Sequence, residues 1–192
     1  MRRVPKDYVI DRYGLFARLV DEPDAGFIVK LRTDPKLSRY LHKTDSSIEN
    51  QIQWIKNYKE REEAGTEYYF IFYKDGKPVG LNRLYNITNE SYTSGSWLFS
   101  SEAPFGVAFL AQVVLRELAF LEWGMQYEED KSGVHVDNVN VQKFNILAGM
   151  KETGRHLTED GEFIQLRLDK KDFLKGRNKI LRMLGIKEAY ND

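Results

Sequence analysis

The sequence predicts an α+β fold with a largely antiparallel sheet, helices packed on it and one βαβ crossover near its middle. Three observations carry that prediction. Apolar residues at helical spacing alternate with short aromatic and β-branched runs bounded by turn residues. Three strand-like runs follow one another in mid-chain across tight polar turns, the pattern of an antiparallel meander. A long helix, apolar over most of its circumference, comes directly after them and leads into a further strand.

The elements follow in order. Leu15 to Val20 reads as the first strand, bounded by Gly14 and the Asp21–Asp24 cluster. Ala25 to Arg32 reads as a short helix, with Phe27, Ile28 and Leu31 at helical spacing. Asp34-Pro35 then opens a second short segment, Lys36 to Leu41. Ser46 with Glu49 has the spacing of a capping box, and the helix it starts places Ile48, Ile52, Ile55 and Tyr58 on one face before Gly65. Then the period changes. Glu67 to Tyr73 is aromatic and strand-like, Lys74-Asp75-Gly76-Lys77 is a hairpin turn, and Pro78–Tyr85 and Ser91–Phe99 complete the meander. Phe105 to Trp123 is the long apolar helix. Gly133 to Asp137 reads as a strand and Asn140 to Ala148 as a short helix stopped by Gly149. Met150–Arg155 and Phe163–Leu168 read as a closing hairpin, and the tail from Phe173 to Leu184 as a basic amphipathic helix.

Composition narrows the function. The 192 residues suffice for one domain with a sizeable core, and no Pro/Gly/Ser linker divides residues 1–192. Basic and acidic side chains balance at 29 each, which argues against a nucleic-acid binder that works by bulk positive charge. The absence of cysteine excludes disulfides, thiolate nucleophiles and zinc–thiolate sites, and with 3 histidines no metal site is expected. The chain opens on an arginine pair with no apolar core behind it, so no signal peptide is expected. No apolar run reaches the roughly 18 residues of a membrane span. The expectation is a cytoplasmic protein.

The segment that carries chemistry is Ala103-Pro104-Phe105-Gly106-Val107-Ala108, where a strand runs through a loop into the long helix. The first N–H groups of a helix lack intrahelical partners and stand at the positive end of its dipole. A glycine there lets an anion such as a pyrophosphate approach the backbone. Tight packing of helix on strand is the other reading of Gly106.

With the preceding meander, and with Val134-His135-Val136-Asp137-Asn138 and a helix ending Ala148-Gly149-Met150 behind it, this layout resembles the GNAT superfamily of acyl-CoA-dependent N-acyltransferases. The resemblance covers Leu15 to Leu168 and lies nearest the ribosomal-protein N-terminal and sugar-amine branches. The family loop, Gln/Arg-x-x-Gly-x-Gly/Ala, is met by Gly106 and Ala108 and departed from at Ala103. Trp97 fits the aromatic at the end of the preceding strand; Asn138 and Gly149-Met150 fit the second family signature.

That resemblance implies a GNAT-like mixed sheet with two splayed central strands and helices on both faces. It implies that backbone near Leu98, Phe99 and Ser100 holds the pantetheine arm, that the amides of Phe105, Gly106, Val107, Ala108 and Phe109 hold the pyrophosphate, and that Asn138 lies by the cofactor. The co-substrate would be acetyl-CoA or another acyl-CoA, without a metal. Many relatives carry a tyrosine as general acid where this chain has Asn145, so Asn145 is expected near the thiol. His135 is the candidate base, beside the reading of a hydrogen-bonded structural histidine. Arg39, Tyr40 and His42, where the family's first helices cover the acceptor, are candidates to bind an anionic acceptor, and a solvated polar segment is the other reading.

The expected acceptor is a primary amine, in first place a nucleotide-linked amino sugar for surface polysaccharide such as lipopolysaccharide. Alternatives are a protein N-terminus, a small amine such as a polyamine, or a non-catalytic acyl-CoA-binding or interaction module. The aromatic surface and C-terminal helix also raise a homodimer as an expectation.

Overall fold

The computed structural model describes residues 2–40 and 45–190. Its elements are β1 (Val9–Arg12), β2 (Leu15–Leu19), α1 (Ala25–Thr33), α2 (Ile48–Ala64), β3 (Tyr68–Lys74), β4 (Lys77–Tyr85), β5 (Ser91–Phe99), α3 (Val107–Glu117), β6 (Tyr127–His135), α4 (Val139–Leu147), β7 (Lys151–Thr158), β8 (Gly161–Asp169) and α5 (Lys170–Met183). The α+β class holds, with a mixed sheet. Every recorded strand pair is antiparallel except β5 with β6, which α3 connects as a crossover. The chain divides into two compact units, Met1–Ile87 with Gly95–Ala111, and Thr88–Ser94 with Gln112–Asp192.

In the first unit the hydrogen-bonding order is β1-β2-β3-β4-β5. β1 is a strand beyond those expected: Ile10 alone of its four residues is buried, so its alternation is too short to read. Tyr13 and Gly14 turn it into β2 with both residues at positive φ. The expected Asp75-Gly76 hairpin is present, again with both residues at positive φ. One face of β3–β5 packs on α1 and α2 through Ile28, Leu31, Ile55, Tyr58, Tyr69, Ile71, Leu81 and Leu98.

Two details of the expected helices change. The cap of α2 is Ser47, whose hydroxyl accepts from the Asn50 amide at 3.1 Å, one residue later than expected. Its buried face is accordingly Gln51, Ile55, Tyr58 and Glu62, and Ile48 is 47% exposed. Of the segment expected over 36–41, the described part, 36–40, is turn and bend.

In the second unit the order is β5-β6-β8-β7. β6 begins six residues before the expected Gly133, because charged residues fill the early positions: Glu128 faces inward and Glu129 pairs across to Arg167. The long apolar helix is α3 followed by a π-helical turn, Leu118–Glu122. Phe120 of that turn stacks on Phe173 of α5 with centroids 4.9 Å apart and meets Tyr92 edge-on at 5.6 Å. The basic tail helix therefore packs as expected, with Phe173, Ile180 and Leu181 buried.

Candidate functional site

The loop between β5 and α3 lies within the first unit. Ser100 ends β5: its amide donates to the Val79 carbonyl at 2.9 Å, and its carbonyl accepts from Ala103 at 3.0 Å. Both main-chain groups are thus engaged, and the Ser100 hydroxyl accepts from the Glu102 amide at 3.2 Å. Leu98 is buried, and the Phe99 ring lies 5.7 Å from that of Phe72.

At the helix start the arrangement differs. Val107 donates to Pro104 and Leu110 to Gly106, whereas the amides of Phe105, Gly106 and Ala108 make no hydrogen bond among the described residues. Gly106 has φ 82°, a left-handed conformation that glycine alone adopts without strain. The Trp97 indole N–H donates to the Ala108 carbonyl at 3.0 Å, and its ring lies 6.3 Å from Phe109. Trp97 thereby ties the first turn of α3 to the end of β5. Unpaired amides at a helix N-terminus make a main-chain anion site, and its chemistry fits a pyrophosphate.

The other cofactor and catalytic candidates lie in the second unit. Asn138 precedes α4 and makes no side-chain cap. Asn145 is 7% exposed, with its Oδ1 accepting from Arg116 at 3.3 Å. Arg116 is itself buried and held by Glu128 through hydrogen bonds of 2.8 and 3.1 Å, and the Tyr92 hydroxyl donates to the same carboxylate at 3.0 Å. Burial raises the Tyr92 hydroxyl well above its ordinary range, and the adjacent Glu128 charge adds to it. Asn145 is thus an anchored group, fixed by the buried ion pair beneath α4.

His135 is also anchored. Its Nδ1 accepts from the Asp137 amide at 3.1 Å, and Nε2 stands 3.1 Å from the Asp160 carbonyl. Both ring nitrogens are thus engaged, one of them in the turn that follows β6.

Of the acceptor candidates, Arg39 is exposed with its guanidinium 5.2 Å from the centroid of the Tyr40 ring. His42 lies outside the described residues. Among the described residues no group of three or more His, Asp or Glu could hold a metal, and no helix is long and apolar enough to cross a membrane.

Sequence reasoning missed a polar cluster on the α1/α2 face of the first unit. Ser96 sits in mid-strand at φ 49°, an uncommon conformation for a residue with a side chain. Its hydroxyl lies 3.4 Å from an Arg32 guanidinium nitrogen. A Cβ on neighbouring Gly95 would come within 2.8 Å of the Tyr85 ring, so this close approach requires the glycine. Tyr69 stands directly opposite Arg83 in the β3–β4 register. The Gly95-Ser96 pair inside a strand was the legible signal.

Comparison with known families matches residues 15–151 to the acetyltransferase (GNAT) domain. Among solved structures, a nucleotide-linked sugar GNAT, FdhC in its apo form, is 31% identical, with 93% of this chain and 99% of that chain covered at a TM-score of 0.78. The ribosomal-protein-S5-alanine acetyltransferase of Vibrio fischeri is 17% identical, covering 87% and 99% at 0.73. Spermidine N-acetyltransferase of Vibrio cholerae, in complex with CoA and spermine, is 16% identical, covering 84% and 98% at 0.70. The last two show the fold alone. A search of the curated proteins found no match.

Proposed function

The chain belongs to the GNAT acetyltransferase family, and from that premise we propose that the amine it acylates is carried on a nucleotide-linked amino sugar. Its reaction class is acyl-CoA-dependent N-acetyl transfer. The observation that carries the acceptor reading is the likeness, along nearly the whole of both chains, to the nucleotide-linked sugar GNAT. The family match runs through both compact units, so residues 1–192 are read as one acyltransferase domain. Acyl-CoA is a cytoplasmic metabolite, and the reading places the protein there. Use of the product in a surface polysaccharide and assembly as a homodimer belong to the same proposal. Sedimentation at the 22.5 kDa of one chain would reject the dimer.

Acyl-CoA supplies an acyl group activated as a thioester; the chain supplies position and charge. In this reading the free amides of Phe105, Gly106 and Ala108 hold the pyrophosphate, with Val107 and Phe109 shaping the same turn. The backbone of Leu98 and Phe99 and the Ser100 hydroxyl follow the pantetheine arm in this reading, and Asn138, whose side chain makes no cap, contributes to cofactor binding. Asn145, held by Arg116, solvates the leaving sulfur, since a carboxamide cannot serve as general acid at neutral pH. His135, with both nitrogens engaged, orients the β6–α4 connection, and the amine's proton leaves through water. Rate then comes from positioning and polarisation.

A thermal-shift titration with coenzyme A and acetyl-CoA tests the cofactor site. Ligand at about 100 times its Kd stabilises the native state by about 2.7 kcal/mol. For a chain of this size that is a shift of roughly 5–10 °C. An acceptor panel read by thiol release then tests the acceptor. Release with nucleotide amino sugars supports it; release only with a peptide N-terminus or a polyamine rejects it. A saturable shift with no release on any amine marks a non-catalytic binder.

A further inference from the structure

We infer that Arg116 is the positioning residue of the leaving-thiol site: it fixes the Asn145 carboxamide with its N–H groups turned to the sulfur, so that a held donor replaces a general acid. The inference rests on the reading that puts Asn145 beside the thiol, and says which end of its amide is presented and what holds it.

Arg116 stands on α3 with 1% of its side chain exposed. Its partners come from β6, α4 and the residues just after α4, all in the second unit. Glu128 takes the guanidinium side-on, through Nε at 2.8 Å and Nη2 at 3.1 Å. The same Nη2 lies 3.3 Å from Asn145 Oδ1 and 3.6 Å from the Met150 sulfur, and the Phe144 ring centroid is 5.6 Å from the guanidinium carbon. Burial opposes the charge, and the Glu128 carboxylate more than offsets it, so the guanidinium stays protonated. The Tyr92 hydroxyl donates to that carboxylate at 3.0 Å and secures it in turn.

This arrangement sets the direction of the amide. A guanidinium only donates, so the atom of Asn145 that faces it is the carbonyl oxygen and the Nδ2 end is turned away. Nδ2 makes no hydrogen bond among the described residues. An unanchored asparagine can present either end after a half-turn of its amide, whereas this one presents two N–H groups in a fixed direction. A donor fixed in advance is what stabilises charge that develops only during reaction.

A second observation sets Arg116 apart from an ordinary buried pair. Its Nη1 is buried and has no hydrogen-bond partner. Buried polar groups are nearly always satisfied, so an arginine kept here with one amino group unused is poorly spent on stability. Apolar residues of the same volume commonly serve a core as well as such a pair does. What they cannot supply is a cation behind the carboxamide, which polarises its N–H groups in a low dielectric. In the transfer, the amine lone pair forms the C–N bond, the C–S bond breaks and its electron pair leaves on sulfur. The Asn145 N–H groups meet that pair, and the proton of the amine goes to water.

The chain has no cysteine, so bound coenzyme A carries the sole thiol of the complex and its ionisation can be read directly. The ultraviolet absorbance of the thiolate is titrated against pH in protein saturated with coenzyme A, with protein carrying S-methyl-coenzyme A as the blank for tyrosine ionisation. The bound thiol is expected to ionise about 1–2 pH units below free coenzyme A, the worth of hydrogen bonds to a charged group. Asn145→Leu should return it to the free value. Glu128→Leu/Arg116→Met removes both charges together, so neither is left buried alone, and should return it most of the way with coenzyme A affinity within a few-fold. Arg116→Lys, whose single ammonium cannot hold the Glu128 carboxylate side-on and Asn145 as well, should do the same and serves where the double variant does not fold. A lowered thiol that persists in the Arg116 variants overturns the positioning role and leaves the Asn145 reading standing; a merely structural Arg116 would move Tm alone. A thiol at the free value in the wild type overturns both. Should calorimetry show no coenzyme A binding by the wild type, the cofactor reading itself fails.

Discussion

Removing the Glu128 carboxylate should cost the second unit several kcal/mol of stability, about 3–5. Glu128 and Arg116 are 3% and 1% exposed, and their pairing uses two hydrogen bonds, at 2.8 and 3.1 Å. In Glu128→Leu the Arg116 guanidinium keeps as hydrogen-bond acceptors Asn145 Oδ1 at 3.3 Å and the weakly accepting Met150 sulfur at 3.6 Å, beside the Phe144 ring 5.6 Å away. The Tyr92 hydroxyl loses its acceptor as well. Breaking a buried pair by deleting one partner costs about 3–5 kcal/mol, chiefly because a charge is left buried without compensation. At roughly 2–4 °C per kcal/mol for a chain of this length, Tm should fall by about 6–20 °C. The double variant Glu128→Leu/Arg116→Met exchanges both charges for apolar volume and should recover at least half of that loss. Urea denaturation followed by far-UV circular dichroism gives the free energies of both. A single variant losing less than about 1 kcal/mol, or a double variant as unstable as the sum of its parts, would refute the reasoning.

Three further outcomes are expected. Gly106→Ala must hold a side chain at φ 82° or abandon that conformation; at about 1–2 kcal/mol the strain should weaken coenzyme A roughly tenfold by calorimetry, and unchanged affinity would detach the loop from the cofactor. Asp130 accepts from the Gly133 amide, and burial holds its carboxyl above the usual range. Its folded pKa thus exceeds the unfolded one, so its contribution is fully present below about pH 4 and is lost as pH rises through the folded value. Asp130→Asn should accordingly be the more stable protein near neutral pH, with the difference shrinking toward about pH 4; Tm against pH for both proteins decides. His135→Gln should lower stability by about 1–2 kcal/mol through its two backbone contacts and leave turnover within a few-fold. A loss of roughly a hundredfold in kcat at unchanged Tm would instead make His135 the general base.

Local signals were legible because a few neighbouring residues decide them. Asp75-Gly76 accepts positive φ at both positions and so turns β3 into β4 wherever that hairpin docks. Gly106, at the passage from strand to helix, frees the amides around it by chain geometry alone. Apolar residues around α3 declare burial without saying against what. Near misses fall where competing local choices have similar energies. Ser46 and Ser47 are both competent caps, and the choice of Ser47 turns Ile48 outward and Gln51 inward.

The tertiary structure decided what depends on residues far apart in the chain. Arg116 and Glu128 are charged residues on different elements that the packing of α3 and β6 buries together, where pairing is the condition for their staying charged. Tyr69 and Arg83 became neighbours through a strand register, and Arg32 and Ser96 joined them through packing and a kinked strand. No spacing in one dimension encodes such a group. The sequence by itself determined the class of fold, the glycine-bearing turn that opens α3 and the balance of charge, since each follows from short-range chemistry. Which charges are buried and which polar groups converge on one face was set by the closing of the sheet, since only packing brings them within reach.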